Sequence, residues 1–240
     1  FPGYRAFLGR GGTISLIVLA AALAGCSTTS GQGVAAKTDA SVPELVTFAS
    51  GDLTLRALLW KPPGPGPFPA VVFNHGSERD HDTHFALIAP HFVREGYVFF
   101  APYRRGQGLS AGQGTWVLDT LSRVAQEQGM IARGKMAVEL LKTEQLNDVL
   151  AALARLQGMP FVDRGRIAVV GNSFGGVLTM QMAERGGDIR SAVNMAGAAL
   201  NWKRSPEFKQ WMFDMARNAK VPVFFIQAEN DMDTGPSREL

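Results

Sequence analysis

The segment from Arg166 to Gly176 constrains the fold of this chain more than any other part of its sequence. An apolar, β-branched run ends in Gly171-Asn172-Ser173-Phe174-Gly175, and a further apolar stretch follows Gly176. This context predicts a strand, a tight turn with Ser173 at its tip, and a helix. Only glycine fits two residues before and after the serine in so tight a turn. The Ser173 hydroxyl is therefore expected to stand clear of the sheet, at a helix N-terminus whose dipole favours negative charge. The alternative is an ordinary glycine-rich turn between a strand and a helix.

Short apolar runs alternate with helix-length segments along most of the chain. The first two runs suit an antiparallel pair, and the third is apolar throughout, as a strand buried on both faces should be. Strands that alternate with helices predict an α/β fold with a mainly parallel central sheet and helices on both faces. We predict strands at 45–48, 53–60, 69–74, 97–101, 167–170, 192–195 and 221–227, and helices at 83–95, 143–156 and 206–219.

Residues 111–136 follow neither pattern, because their apolar side chains are scattered among polar ones. The stretch is interpreted either as an insertion that caps the catalytic edge of the sheet or as a mobile surface excursion.

The first 25 residues have the composition of a targeting segment. Arg5 and Arg10 form a positively charged beginning, and the apolar run at 14–24 is too short to span a membrane. The sequence Leu23-Ala24-Gly25-Cys26 resembles the lipobox of bacterial lipoprotein signal peptides, in which the cysteine is lipidated and becomes the mature N-terminus. The resemblance implies a membrane anchor at Cys26 and a location in the bacterial cell envelope, on the periplasmic face or the cell surface. An ordinary signal peptide with an incidental cysteine is the alternative.

These observations predict three parts. Residues 1–25 are a lipoprotein signal peptide, 26–42 are the lipidated cysteine and a flexible tether rich in small polar residues, and 43–240 are the folded domain.

Composition excludes some other classes of function. The formal net charge is +3 at pH 7, Arg5 and Arg10 supply two of the excess positive charges, and no basic stripe is present, so no nucleic-acid partner is expected. The histidines match no compact ligand spacing, so no metal is expected. The segment 106–108 is interpreted as a structural turn because it lacks the third glycine of a phosphate-binding loop. Trp202, Phe208 and Trp211 are interpreted as packing residues, with a substrate platform as the alternative.

A second motif, Asn74-His75-Gly76-Ser77, follows the third predicted strand. In a sheet with a serine at such a turn, the loop at this position supplies one backbone amide of an oxyanion hole, and the residue after the serine supplies the other. We therefore predict that the amides of Ser77 and Phe174 form the hole. His75 is expected to hold the loop in shape, because a base must approach the serine from the side of the acid.

An acidic segment, Glu229-Asn230-Asp231, follows the last predicted strand. A carboxylate at this position orients the histidine of a catalytic triad and stabilises its imidazolium form. Asp231 is the predicted acid, and Glu229 and Asp233 are the alternatives. Asp231 also suits the simpler role of starting a turn.

Together these motifs resemble the α/β-hydrolase superfamily, and most closely its dienelactone-hydrolase-like branch. The resemblance rests on Ser173 in its turn, the loop at 75–77, the segment 103–110 and the segment 229–231, and it covers about 45–240. It implies a serine hydrolase that acts on small carboxylic esters through an acyl-enzyme, without a cofactor. True dienelactone hydrolases carry a cysteine nucleophile, whereas this chain has Ser173.

The histidine that the superfamily places after the acid is absent from the sequence, because all four histidines precede Ser173. We expect that histidine beyond Leu240, so that the domain is incomplete at its C-terminus and the 240-residue chain is inactive. The alternatives to an esterase are a peptidase of the prolyl-oligopeptidase type and a non-catalytic hydrolase-fold binding protein of the cell envelope.

Overall fold

The structure is a computed structural model that describes residues 42–240. The predicted signal peptide, Cys26 and all but the last residue of the predicted tether lie outside the described residues. No helix within 42–240 has both the length and the apolar character needed to cross a bilayer.

Seven strands form one sheet in the order β1-β2-β4-β3-β5-β6-β7. Strand β2 is antiparallel to both β1 and β4, and all other neighbours are parallel. The predicted α/β fold with a mainly parallel sheet and an antiparallel opening pair is therefore confirmed. The strands are β1 (Glu44–Ser50), β2 (Leu53–Trp60), β3 (Phe68–Asn74), β4 (Val98–Pro102), β5 (Val162–Asn172), β6 (Ser191–Met195) and β7 (Val223–Ile226).

Helices cover both faces of the sheet. One face packs on α1 through an aromatic cluster that includes Phe73, Phe85 and Phe99. The other face packs on α3, α4 and α5 through the larger apolar core. The helices are α1 (Asp82–Arg94), α2 (Val117–Lys142), α3 (Glu144–Gln157), α4 (Phe174–Arg185), α5 (Pro206–Asn218) and α6 (Gly235–Glu239).

Local sequence explains several of these helix positions. The Ser205 hydroxyl accepts a hydrogen bond from the Phe208 amide at 3.2 Å, and Pro206 occupies the first turn of α5, where its missing N–H costs nothing. Helix α3 buries Leu146, Val149 and Leu156 along one face, which is the spacing that predicted it.

The stretch at 111–136 turns out to contain most of α2, which is broken at Gly129 (φ 86°, ψ 175°). Leu121 and Leu140 would lie about 28 Å apart along a straight helix, yet both belong to one small cluster packed against Phe174. The chain therefore reverses near Gly129, and α2 is a helical hairpin with a first arm before Gly129 and a second arm after it. The pattern of apolar residues did not predict this helix, because the reversal interrupts its periodicity.

Candidate active site

Ser173 lies at the junction of β5 and α4, at the carboxyl edge of the sheet. Its backbone has φ 52° and ψ −116°, a conformation that residues with a side chain rarely adopt. The Ser173 amide donates to the Met195 carbonyl oxygen at 2.8 Å, and its own carbonyl oxygen accepts from the Gly176 amide at 2.9 Å. The strained turn is thus held by β6 on one side and by the first turn of α4 on the other.

The glycines on either side of Ser173 allow the backbones to approach closely. A methyl group on Gly175 would overlap the carbonyl oxygens of Asn74 and His75, and one on Gly171 would overlap the carbonyl oxygen of Gly175. The N-terminus of α4 is therefore pressed against the end of β3. This contact is the physical reason for the Gly-x-Ser-x-Gly spacing.

Side chains from the chain after β4 bind the carbonyl groups of the loop that follows β3. Arg104 donates from Nη1 to the His75 carbonyl oxygen at 2.8 Å and from Nη2 to the Gly76 carbonyl oxygen at 2.6 Å. Trp116 Nε1 donates to the Ser77 carbonyl oxygen at 2.9 Å. We name residues 75–78 the oxyanion loop, because its carbonyl groups are held in place by these donors and its amides are left for other partners.

The two amides predicted to form the oxyanion hole are both free of internal acceptors. Within residues 42–240, neither the Ser77 nor the Phe174 amide donates a hydrogen bond to another residue. Phe174 is the first residue of α4, whose N-terminus favours negative charge. Both amides are therefore available to a developing oxyanion, although their role stays a prediction.

Arg104 was not recognised from the sequence as a site residue. Its side chain is 1% exposed, its Nε donates to Gln145 Oε1 at 3.0 Å, and its guanidinium carbon lies 5.3 Å from the centre of the Phe174 ring. No carboxylate of a described residue forms an ion pair with it. Burial lowers the pKa of Arg104 to about 9, so the side chain remains a cation at neutral pH. A buried positive charge thus lies behind the oxyanion loop.

Two sequence signals pointed to Arg104: it follows the end of β4 by two residues, and it lies in the segment 103–110 that contributes to the family resemblance. Its position after β4 places it beside the end of β3, because the two strands are parallel neighbours.

Both ring nitrogens of His75 form hydrogen bonds, one within the oxyanion loop and one with the chain after β4. Nδ1 is assigned as the donor to the Gly76 carbonyl oxygen at 2.9 Å, and Nε2 then accepts from the Arg104 amide at 3.3 Å. The ring is fully buried and lies against that of His81, with centroids 4.2 Å apart. Burial and the Arg104 cation lower the pKa of His75 well below its usual value. The ring is therefore placed to support the loop.

The acidic segment follows β7, two strands away from Ser173. Asp231 Oδ2 accepts from Gln227 Nε2 at 3.1 Å, and Asp231 Oδ1 accepts from the Met232 amide at 2.7 Å. Asp233 has a different setting, since it accepts from the Gly235 amide at 2.9 Å and pairs with Lys203 at 3.3 Å. The Gly235 hydrogen bond and the Lys203 charge lower the pKa of Asp233.

The three candidate acids therefore differ in their surroundings. Asp233 closes a turn, Glu229 is exposed, and Asp231 is half-buried. Among the described residues no histidine hydrogen-bonds Ser173 or Asp231.

Other predicted features have structural positions. No group of three or more histidine, cysteine or acidic residues within 42–240 could hold a metal ion. The segment 106–108 is part of a turn in which the Gly108 amide donates to the Arg79 carbonyl oxygen at 2.7 Å. Trp202 and Phe208 are buried in the core, whereas Trp211 is half-buried beside it.

A strained serine between a strand and a helix, at the carboxyl edge of a mostly parallel sheet, defines an α/β-hydrolase. The family model described as the dienelactone hydrolase family matches residues 55–238. The chain therefore belongs to the dienelactone hydrolase family.

Relatives of known sequence include both peptidases and esterases by description. The chain is 25% identical over 216 residues to the Bacillus subtilis protein described as an uncharacterized peptidase, YtmA, covering 78% of this chain and 73% of that protein. It is 33% identical over 158 residues to the esterase EstD of Thermotoga maritima, covering 63% of this chain but only 34% of that protein.

Solved structures agree with the fold. The Pyrococcus furiosus esterase Pf2001 superposes with a TM-score of 0.58 at 16% identity, over 89% of this chain and 82% of that protein. The Pyrococcus horikoshii acylaminoacyl peptidase superposes with a TM-score of 0.56 at 21% identity, over 81% of this chain and 33% of that protein. The chain thus spans about a third of the length of EstD and of this peptidase.

Proposed function

We propose that the complete protein is a serine hydrolase that cleaves small carboxylic esters through an acyl-enzyme. The observation that carries this proposal is the strained backbone of Ser173 at the N-terminus of α4, and the free amides of Phe174 and Ser77 support it. Strain of this kind persists only where surrounding structure enforces it, and it is concentrated at functional sites. The proposal needs no cofactor.

The proposed reaction has two steps. The Ser173 Oγ attacks the ester carbon while a histidine takes its proton, and the Ser77 and Phe174 amides bind the oxyanion. The bond from the carbonyl carbon to the alcohol oxygen then breaks, and the alcohol leaves with the proton held by the histidine. Water adds to the acyl-enzyme in the same way, which releases the carboxylic acid and restores Ser173. Asp231 orients the histidine and stabilises its cationic form.

We propose that this histidine follows Leu240 in the complete protein. Strand β7 has no further strand beside it within the described residues, and its Phe224 and Ile226 side chains are 65% and 44% exposed. A further parallel strand beside β7 would pair its free edge and end at the same edge of the sheet as Asp231, and a helix connected to that strand would cover apolar side chains of this kind. This arrangement supports a base that is supplied from beyond Leu240.

The test is hydrolysis of p-nitrophenyl butyrate by the complete gene product, its Ser173→Ala variant and the 240-residue chain. We expect Ser173→Ala and the 240-residue chain each to lose at least about 10³-fold in kcat/KM, since a nucleophile and its base act as a unit. An Asp231→Asn variant should lose far more activity than Asp233→Asn. Hydrolysis that survives Ser173→Ala would refute the serine mechanism, and the absence of any hydrolysis would favour the non-catalytic binding protein.

A peptidase is the second candidate, because the chain is similar to YtmA and shares the fold of the acylaminoacyl peptidase. An amide substrate, N-acetylalanine p-nitroanilide, separates the two functions when it is compared with the ester of the same acid. A kcat/KM for the anilide within about tenfold of that for the ester would favour the peptidase, since an amide leaving group demands stronger acid catalysis.

We further propose that residues 1–25 are a lipoprotein signal peptide, that Cys26 carries the lipid, and that 26–42 tether the domain at 43–240 to the cell envelope. The support is the resemblance of residues 23–26 to a lipobox. Metabolic labelling with radioactive palmitate should mark the wild-type protein and leave Cys26→Ser unlabelled. Equal labelling of both would refute the anchor.

A further inference from the structure

A groove lies between the second arm of α2 and the beginning of α5, with a volume of about 750 Å³. This size falls within the roughly 300–1,000 Å³ range of pockets that bind small molecules. We name it the basic groove and define it by its apolar floor and its charged rim, which are described next.

The floor of the basic groove is apolar. Phe208 and Trp211 from α5, Val138 from the second arm of α2, and Leu200 line the groove. Leu200 is 45% exposed, and Met130 at the end of the groove is 67% exposed. Apolar side chains that remain this exposed in one place mark a surface that binds an apolar partner.

The rim is strongly basic. Arg133, Lys135, Lys142 and Arg204 surround the floor, and Glu207 is the acidic residue among the lining residues. Within residues 42–240 none of these four cations takes part in an ion pair. Lys142 Nζ lies 4.7 Å from the centre of the Trp211 ring, so positive charge sits directly over the apolar floor. Charges of one sign along a cleft attract a ligand of the opposite sign.

Both walls of the groove are joined to the serine turn. On one side, Met136 and Ala137 of the second arm pack in the cluster that contacts Phe174, the residue after Ser173. On the other side, Gly197 lies against Gly176 in the first turn of α4, and the short turn that begins at Ala199 carries Leu200 into the groove. Both walls of the groove are therefore continuous with the segments that hold the turn at Ser173.

We propose that the basic groove binds a small anionic amphiphile, with its apolar chain on the floor and its acidic group at the rim. We assign this amphiphile as the ester substrate of Ser173, with the acidic group as part of the ester. This substrate assignment rests on the proposed function. Charge complementarity selects this occupant. A neutral chain would leave four unpaired cations beside apolar surface, and a bare anion would leave the floor exposed.

Binding is tested by calorimetry on the complete protein carrying Ser173→Ala, with three probes below their micellar concentrations. Octyl sulfate has both the chain and the charge, octyl glucoside has the chain alone, and inorganic sulfate has the charge alone. We expect octyl sulfate to bind at least about tenfold more tightly than either of the others, since each part contributes separately. Equal affinity for octyl glucoside or for inorganic sulfate would overturn the proposal.

A double variant, Arg133→Glu with Arg204→Glu, reverses the charge of the rim. It should weaken octyl sulfate binding about tenfold, since two exposed ion pairs with the sulfate group are replaced by repulsion. The control is Arg217→Glu, on α5 but outside the groove, which should change the affinity by less than about twofold at the same ionic strength. If the double variant loses binding to phosphatidylglycerol vesicles but keeps octyl sulfate binding, the surface contacts a membrane and the proposal is wrong.

The folding of the double variant is checked by its melting temperature, and a second variant, Leu200→Asp, removes part of the floor without changing the four cations. Unaltered octyl sulfate binding in both variants would also overturn the proposal.

Kinetics separate a failure of this inference from a failure of the proposed function. With an active serine, octyl sulfate should inhibit hydrolysis of p-nitrophenyl butyrate competitively, with an inhibition constant equal to its dissociation constant. Hydrolysis that depends on Ser173 but is insensitive to bound octyl sulfate would refute the substrate assignment and leave the esterase intact. Octyl sulfate binding without any hydrolysis would refute the esterase and leave the ligand site intact.

Discussion

The guanidinium of Arg104 donates to the carbonyl oxygen of Gly76 at 2.6 Å, from a position that is closed to solvent. The same guanidinium lies over the ring of Phe174, 5.3 Å from its centre. One buried cation thus contacts both segments that would supply the oxyanion amides. Charge in a site of low dielectric acts more strongly than in water, so Arg104 is expected both to fix the loop and to favour negative charge in front of it.

Replacing Arg104 with lysine should lower the rate of the chemical step without weakening substrate binding. Lysine cannot donate to two carbonyl groups in a fixed fork, so the shared guanidinium donor of the His75 and Gly76 carbonyl groups would be lost. We expect kcat of the complete gene product to fall by about 10²-fold, similar to the loss of one oxyanion donor, with KM changed little. Steady-state kinetics with p-nitrophenyl butyrate measure both constants.

The matched control is Arg105→Lys, because Arg105 bonds the carboxylates of Asp148 and Glu144. That variant should lower the melting temperature while leaving kcat within a few fold. A kcat for Arg104→Lys equal to that of Arg105→Lys would contradict the positioning role.

The strain at Ser173 should be measurable as stability. Glycine relieves a backbone at φ 52°, whereas alanine retains the strain and removes only the hydroxyl. Ser173→Gly should therefore exceed Ser173→Ala in free energy of unfolding by about 1 kcal/mol, even though glycine costs chain entropy. Urea denaturation of the two variants tests the difference, and an alanine variant as stable as the glycine variant would show that the turn is relaxed.

The close approach of α4 to β3 should make Gly175 intolerant of a methyl group. Gly175→Ala would force α4 away from the Asn74 carbonyl oxygen, at a cost of about 2–3 kcal/mol in free energy of unfolding. Gly134, in the second arm of α2, has open space around its Cα. Gly134→Ala should instead stabilise the protein by about 0.5–1 kcal/mol through helix propensity. Thermal denaturation of both variants measures the contrast, and equal effects would refute the contact.

Stability should decline in acid through His81. Burial lowers its pKa from 6.5 to about 4, with a smaller lowering contribution from Arg104. The unfolded chain therefore binds a proton at a higher pH than the folded protein does, and stability is lost as the pH falls from about 6.5 to about 4.

A His81→Phe variant keeps the ring packing and removes the titration. Between pH 7 and pH 4, the free energy of unfolding of this variant should fall by about 2 kcal/mol less than that of the wild type, after allowance for solvent screening. Urea midpoints at several pH values give the two curves, and parallel curves would exclude His81 as a source of the acid sensitivity.

Local patterns predicted the sheet well. Each predicted strand occurs, and the predicted helices at 83–95, 143–156 and 206–219 correspond to α1, α3 and α5 with ends shifted by at most one residue. These elements are visible in sequence because their apolar spacing follows from the burial of one face. The turn at Ser173 was also predicted, because its glycines are required by close contacts with the adjacent strand.

The remaining features depend on contacts between distant segments. Nothing local distinguishes Arg104 from its neighbour Arg105, yet one binds backbone carbonyl groups and the other binds carboxylates. The four cations of the groove come from α2 and from the region that begins α5, which meet only in the folded protein. Parallel strand order brings such segments together, and the order is a property of the whole chain.

Because the chain reverses at Gly129, the two arms of α2 contact different parts of the protein. The first arm follows Trp116, which holds the Ser77 carbonyl group, while the second arm forms a wall of the basic groove. Because the arms are covalently joined only at one exposed bend, residues can be gained or lost in the second without shifting the register of the first. A change in length of the groove wall therefore need not move the segment that holds the Ser77 carbonyl group.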